Sequence, residues 1–328
     1  MFVIQKNHRC IHCLLAVLLV LLVWLDLSFG SRYISLIDAL RVDGIDQRIL
    51  LGIRLPKTLT AIFAGAALSI SGLMMQTLFR NPLAGPYILG ISSGAGLGVA
   101  LCTLTGSLLG IGVLTGTLSL AMAAMIGATL VLLLVVSVAR RVRDNVTLLI
   151  VGMMIGSVAS AVVNLLQNFA NPDALKLFIV WTFGSLMSVG WSELVVLAVL
   201  AVVATAMIIG LLKPLDGLLM GENYARGLGI PVERVRLFII LTTSLLSGSV
   251  TAFCGPIAFI GVAVPHMARG LYQTSNHRSL IPAVALLGAD TLLVCDVVTS
   301  LSHNPLPISS LSALIGAPII LSVILRKR

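Results

Sequence analysis

The sequence predicts an all-α polytopic membrane protein of about ten transmembrane helices with both termini cytoplasmic, and three observations carry that prediction. Of its 328 residues, 58% are hydrophobic and only 10% charged, where a soluble domain carries about 25% charged residues. Apolar runs close to the roughly 20 residues that cross ~30 Å of hydrocarbon recur along the chain. Basic residues collect in the short connections between those runs, which is the positive-inside pattern. Lipid offers a bare backbone no hydrogen-bond partner, so the spans are helices. Residues 1–328 then form a single transmembrane domain with little room for a soluble one.

The first span falls at about 11–29, behind Lys6 and Arg9. Its apolar core resembles that of a signal peptide, but Asp26-Leu27-Ser28-Phe29 lacks a small-x-small cleavage pattern, so an uncleaved span is expected. A polar, extracytoplasmic segment of about 30–57 follows, carrying Arg32, Arg41, Arg48, Arg54 and Lys57. Spans two and three, near 58–79 and 88–106, flank Arg80-Asn81-Pro82. Spans four and five, near 118–139 and 147–169, are parted by Arg140-Arg141-Val142-Arg143-Asp144. The sixth, near 192–212, leads into a cytoplasmic polar stretch of about 213–236. Spans seven to ten lie near 237–254, 256–271, 280–301 and 309–325. With the amino terminus inside, fifteen Lys and Arg fall on the cytoplasmic side and six outside, and Arg326-Lys327-Arg328 agrees with an inside carboxyl terminus.

Five of the six outside cations sit in one segment. Arg32, Arg41 and Arg48 read as a solvated loop balanced by Asp38, Asp43 and Asp46. Arg54 and Lys57 stand against the start of a span with no acid nearby in sequence, which favours a partner surface. Small residues four apart (Gly94/Gly98, Gly106/Gly110, Gly112/Gly116, Gly152/Gly156) suit close helix packing in lipid.

The net charge of +9 does not indicate nucleic acid, because its placement follows the membrane. There is no H-E-x-x-H and no Gly-Lys dipeptide, hence no P-loop. If ATP drives this protein, the ATPase is another chain. Five cysteines give no disulfide framework. Cys10 and Cys13 have C-x2-C spacing beside His8 and His12 but no second ligand pair, so no metal site is expected.

Asp290, Asp296 and His266 are the ionisable groups at membrane depth, where a charge costs at least ~2.5 kcal/mol. A helix-bundle hydrogen bond is the favoured reading for the aspartates, which six residues place on different faces. A proton relay in an ion-coupled secondary transporter is the alternative. Prolines 82, 86, 256, 265, 305, 307 and 318 break or bound spans. Asn81-Pro82 and Gly255-Pro256 mark irregular backbone that can line a pathway. Residues 221–231 read as a short helix stopped by Gly229 and Pro231, a rigid surface able to take a push.

These residues resemble the permease subunits of ABC importers for iron-siderophore, haem and cobalamin. The likeness rests on Arg54-Leu55-Pro56-Lys57; on Gly65-Ala66-Ala67-Leu68 through Gln76 and Asn81-Pro82-Leu83-Ala84 to Gly90; and on Gly221 with Ala225, Leu228 and Gly229. It continues with Gly255-Pro256-Ile257-Ala258-Phe259-Ile260-Gly261, Pro265-His266, and Leu314-Ile315-Gly316-Ala317-Pro318. The resemblance implies a homodimer in the cytoplasmic membrane of a bacterium, with the pathway on the dimer axis. Cytoplasmic ABC ATPase subunits would bind ATP and Mg beneath it, and an extracytoplasmic binding protein would deliver the chelate; this chain itself would hold no cofactor. By position, Arg54 and Lys57 would dock the binding protein, and Gly221, Glu222, Ala225, Leu228 and Gly229 would form the ATPase-coupling helix, where bulk at Ala225 is expected to uncouple. Asn145 and Val146 fall at the family's cytoplasmic gate. Lys57 replaces the usual second arginine, keeping charge but not bidentate geometry. Ser300 stands where some relatives carry a further docking arginine.

Overall fold

The computed structural model describes residues 8–30, 32–41, 44–106, 116–142, 144–302 and 306–326. Lys6, Asp43, Gly110, Gly112, Arg143, Pro305, Lys327 and Arg328 lie outside them, as do the side chains of Asp38, Arg41 and Arg326. The described residues are helical without strands. In chain order they form α1 (His8–Ser28), α2 (Leu36–Arg41), α3 (Ile45–Leu78), α4 (Ile91–Thr105), α5 (Thr117–Ala139), α6 (Asn145–Phe169) and α7 (Pro172–Thr182). There follow α8 (Trp191–Ile209), α9 (Leu212–Leu219), α10 (Glu222–Gly227), α11 (Val232–Cys254), α12 (Ile260–Tyr272), α13 (His277–Leu301) and α14 (Ile308–Arg326). Among the described residues α1, α3, α5, α6, α8, α11 and α13 are long and apolar enough to cross a membrane. Helices α4 and α12, which are shorter, and α14, with its apolar part over Ile308–Ser322, occupy the other three positions expected of spans.

The most apolar window of α3 is 78% buried and that of α11 72%, against 17% for α1 and 28% for α6 and α8. The core is therefore α3, α11 and α13, and the outer helices present apolar flanks, as a bundle in lipid requires. Small residues bring the core helices together. A Cβ on Gly65 would lie 2.2 Å from Gly288 O, and one on Gly72 only 1.6 Å from Gly261 O, so α3 meets α13 and α12 backbone to backbone. Gly94 and Gly98 of α4 meet α5 in the same way, a Gly98 Cβ falling 2.1 Å from Ala123 O. Without water exclusion to drive association, such close packing is what holds helices together in lipid.

Two features differ from the sequence expectation. The helix of the second span starts at Ile45, with a π-helical turn over Leu50–Arg54, so the end of the 30–57 segment is helix rather than loop. Apolar Ile45, Ile49, Leu50, Ile53 and Leu55 interleave the charges there, and neighbouring helices satisfy Arg54 and Lys57. Helix α7 was not expected. Asn171 caps it by accepting from Ala174 N (2.9 Å), and Pro172 and Asp173 open its first turn, a start signal present in the sequence.

Candidate functional site

At one end of the bundle, assigned to the outside by its charges, three elements converge on Lys57. Its ammonium lies 3.1 Å from Asp296 of α13 and 3.7 Å from Asp26 of α1, and donates to Ser300 Oγ at 2.6 Å. Asp26 also accepts from Thr58 Oγ1. Lys57 is 9% exposed, and both aspartates are 2% exposed. Arg54, equally buried, donates to the carbonyls of Leu27, Ser28 and Arg32. It thus fills the unpaired acceptors at the carboxyl end of α1, where the helix dipole favours a cation. Both cations thus have partners within the chain: Lys57 finds its acids on α1 and α13, and Arg54 its acceptors at and just beyond the end of α1. Among the described residues, the exposed basic residues of this face are Arg32, which pairs with Asp46 at 3.6 Å, Arg48 and Lys176.

Asp296 is thereby committed to a structural ion pair. Asp290, one helix face away and 3% exposed, has no hydrogen-bond partner among the described residues at either carboxylate oxygen. The structure thus brings no common partner to the two aspartates.

The opposite end carries the polar segment between α8 and α11. Helix α10 begins at Gly221, whose φ of +114° only glycine adopts freely, and a Cβ there would meet Arg80 Nη1 at 3.4 Å. The helix closes on Gly229 (φ +77°), with Ile230 N donating to Ala225 O (3.0 Å) and Gly229 N to Arg226 O (2.9 Å). Glu222 accepts from Arg236 at 3.0 Å, and Arg236 also donates to Val142 O at 3.0 Å. Arg226 pairs with Glu233 at 2.7 Å. These bonds make α10 a rigid bracket. Ala225 is fully buried against the bundle, so bulk there would dislodge the helix from its own subunit before meeting any partner. The outward stripe is Met220, Tyr224 and Leu228, spaced by four and each more than half exposed.

The gate candidates sit at the same end. Asn145 Nδ2 donates to Leu78 O at 2.8 Å, tying the start of α6 to the end of α3, while Val146 projects outward. Asp144 caps α6: its carboxylate accepts from Thr147 N (2.8 Å) and Thr147 Oγ1 (3.0 Å), which hold it below the usual carboxylate range.

The two broken-backbone motifs are brought together. Helix α3 ends with Arg80 left-handed (φ +47°) and Asn81 N bonded to Gln76 O; Asn81 Oδ1 then accepts from Leu83 N at 2.9 Å, and Pro82 is exposed. The turn continues to Pro86, which packs on Gly261, where a Cβ would come within 2.5 Å of Pro86 Cδ. Tyr87 Oη accepts from Ile257 N at 3.4 Å. Gly255 (φ +74°) ends α11 with Pro256 behind it, and a Cβ at Gly255 would strike Trp181 O at 2.6 Å. A 210 Å³ cavity bordered by Trp181, Ser185, Ser188, Glu193 and Gly255 opens beside that break. Pro265 is buried within α12 and His266 is half-buried next to it. Cys10 and Cys13 are exposed thiols, and among the described residues no group of three or more His, Cys, Asp or Glu is placed to hold a metal.

Sequence reading missed two polar assemblies. Gln76 accepts from Arg269 and donates to Val262 O at 3.1 Å, joining α3 to α12. Part-exposed Asp216 and buried His277 and Thr77 form a chain across α9, α13 and α3. Their partners lie far apart in sequence, and no local spacing signals them.

The architecture is that of a polytopic helical membrane protein with glycine-broken backbone between its helices and a rigid bracket between two of them. The FecCD transport family matches residues 18–326, and the chain belongs to that family. It is 36% identical over 327 residues to "Vitamin B12 import system permease protein BtuC" of Klebsiella pneumoniae subsp. pneumoniae, covering 99% of this chain and 96% of that one. It is 35% identical to the protein of the same description from Citrobacter koseri, over 100% and 98% of the two chains. Among solved structures, the inward-facing conformation of a metal-chelate type ABC transporter superposes with a TM-score of 0.87 at 31% identity, covering 98% of this chain and 100% of that one.

Proposed function

We propose that this chain is the transmembrane permease subunit of an ATP-binding-cassette importer that moves a metal chelate (a ferric siderophore, haem or cobalamin) across the inner membrane of a bacterium. The observation that carries the proposal is the match to vitamin B12 import permeases along 99% of the chain. The exposed Met220–Tyr224–Leu228 stripe on an anchored helix supports it, since a helix braced from behind by Glu222–Arg236 can pass a push into the bundle. The active unit is a homodimer with two cytoplasmic ATPase subunits, which bind ATP and Mg; this chain carries no cofactor of its own. A binding protein docks at the outer face, with exposed Arg32 and Arg48 as its basic contacts and buried Arg54 and Lys57 bracing the surface from below.

The test is ATP-driven uptake in proteoliposomes holding the permease and its neighbouring ATPase, with the binding protein loaded in turn with ferrichrome, haemin and cyanocobalamin. Uptake that requires both ATP and the binding protein is expected. Uptake driven by a proton gradient without either would overturn the proposal and return attention to Asp290 and Asp296.

A further inference from the structure

Asp216 sits in the middle of α9, between buried Leu215 and buried Gly217 and Leu218. One of its carboxylate oxygens takes two hydrogen bonds from a single residue, His277: the backbone N–H at 2.9 Å and Nδ1 at 2.6 Å. Across the ring, Nε2 stands 2.8 Å from Thr77 Oγ1 in the last turn of α3, and that hydroxyl stands 2.9 Å from Leu73 O. His277 is 1% exposed and Thr77 fully buried. Nδ1–H is given to the carboxylate, and Nε2 meets the threonine hydroxyl, whose single hydrogen serves either Nε2 or Leu73 O. The His277 N–H is among the unpaired donors at the start of α13, and the carboxylate meets the positive end of that helix dipole.

Helix α13 has 25 residues and so runs about 37 Å. At its far end Asp296 and Ser300 hold Lys57 of α3, and midway Gly288 presses on Gly65. Helices α3 and α13 are therefore fastened at both ends and at the centre. Apolar contacts of Leu215 and Leu218 are non-directional and let α9 slide. A charge-assisted bond to two donors of one residue does not.

We propose that Asp216 and His277 form the joint through which the cytoplasmic coupling segment displaces the α3–α13 pair, Asp216 acting as a positioning residue of ATP-driven transport. This rests on the importer reading above. The measurement is the number of chelate molecules moved per ATP hydrolysed by the full complex in proteoliposomes. The probe is whichever of ferrichrome, haemin or cyanocobalamin the wild type carries. Asp216→Ala is expected to retain its ATPase subunits and their hydrolysis, while chelate moved per ATP falls roughly tenfold or more. Asp216→Asn, which keeps an oxygen acceptor for both His277 donors, is expected to recover at least about half of the wild-type ratio. Thr77→Val, isosteric and removing only the hydroxyl, should lower the ratio by a smaller factor, and it serves if Asp216→Ala does not assemble. An unchanged ratio in Asp216→Ala or, failing its assembly, in Thr77→Val overturns the joint. So does an Asn variant no better than the Ala variant, or a loss of uptake that only tracks a loss of bound ATPase. A wild-type complex that moves none of the three chelates defeats the importer reading itself, before any variant is compared.

Discussion

Replacing Lys57 by methionine isolates the energetics of the outer ion cluster. The ammonium faces carboxylates at 3.1 Å and 3.7 Å, with side chains 11% exposed for Lys57 and 1% and 4% for Asp26 and Asp296. At an effective dielectric near 20 the two attractions amount to about 5 and about 4 kcal/mol. Desolvation of three buried charges, at several kcal/mol each, together with the repulsion between the two carboxylates, offsets most of that gain. The cluster as a whole is therefore close to neutral for stability, but removing one member is not. Lys57→Met leaves two buried carboxyls without their cation and should destabilise by about 3–5 kcal/mol. The triple variant Lys57→Met, Asp26→Leu, Asp296→Leu replaces the whole cluster with apolar volume and should return to within about 2 kcal/mol of wild type. Reversible unfolding in mixed detergent micelles, or steric trapping in bicelles, measures both. A neutral Lys57→Met would refute the reasoning, as would a triple variant no more stable than the single.

Three further outcomes follow from other parts of the structure. Gly72→Ala sets a methyl 1.6 Å from Gly261 O, and both backbones must shift; a loss of about 1–3 kcal/mol in the same unfolding measurement is expected, while Gly52→Ala, with open space around it, should be neutral or slightly stabilising. Tyr224→Ala with Leu228→Ala removes the outward stripe of α10 and should weaken ATPase association in detergent by roughly tenfold or more, with the permease fold intact; unchanged association would place the ATPase elsewhere. The Asp144 cap has a carboxyl pKa held below its ordinary 3.8 by the Thr147 hydrogen bonds. Its stabilisation of the first turn of α6 is fully present above that value and is lost as pH falls through the lower folded-state pKa, so exchange protection of the Thr147 amide should hold at neutral pH and vanish in acid, and in Asp144→Ala it should be absent throughout.

How much of this was legible in the sequence depended on whether the signal was local. Hydropathy placed the spans because crossing lipid is a property of consecutive residues. The bracket at 221–231 was legible because a left-handed glycine at Gly229 followed by proline is a local stop, and the structure closes α10 on that glycine. Small residues four apart announced helix contacts at Gly94 and Gly98, but not which helix would meet them. The orientation of Ala225 was hidden for the same reason: a six-residue helix has a face, and which face is inward is decided by α9 and α11.

The buried charges show where a stronger rule was available. Lys57 lies within a predominantly apolar helix, and an ammonium at that depth requires an acid whatever the sequence distance. Among carboxylates in apolar segments the chain offers few candidates: Asp26, Asp290 and Asp296 lie within spans, and Glu193 stands in the first turn of another. Pairing by scarcity rather than by proximity would have joined Lys57 to two of the three and so fastened α1, α3 and α13 before any coordinates were known. It would also have weakened the idea that Lys57 is free for a partner. Scarcity does not resolve Asp290, which finds no hydrogen-bond partner among the described residues at either oxygen. Nor does it reach Asp216 and His277, which lie in polar connections where partners are abundant and solvent is an alternative. In a membrane chain the apolar segments constrain their own charges, and the joints between segments have to be read from the fold.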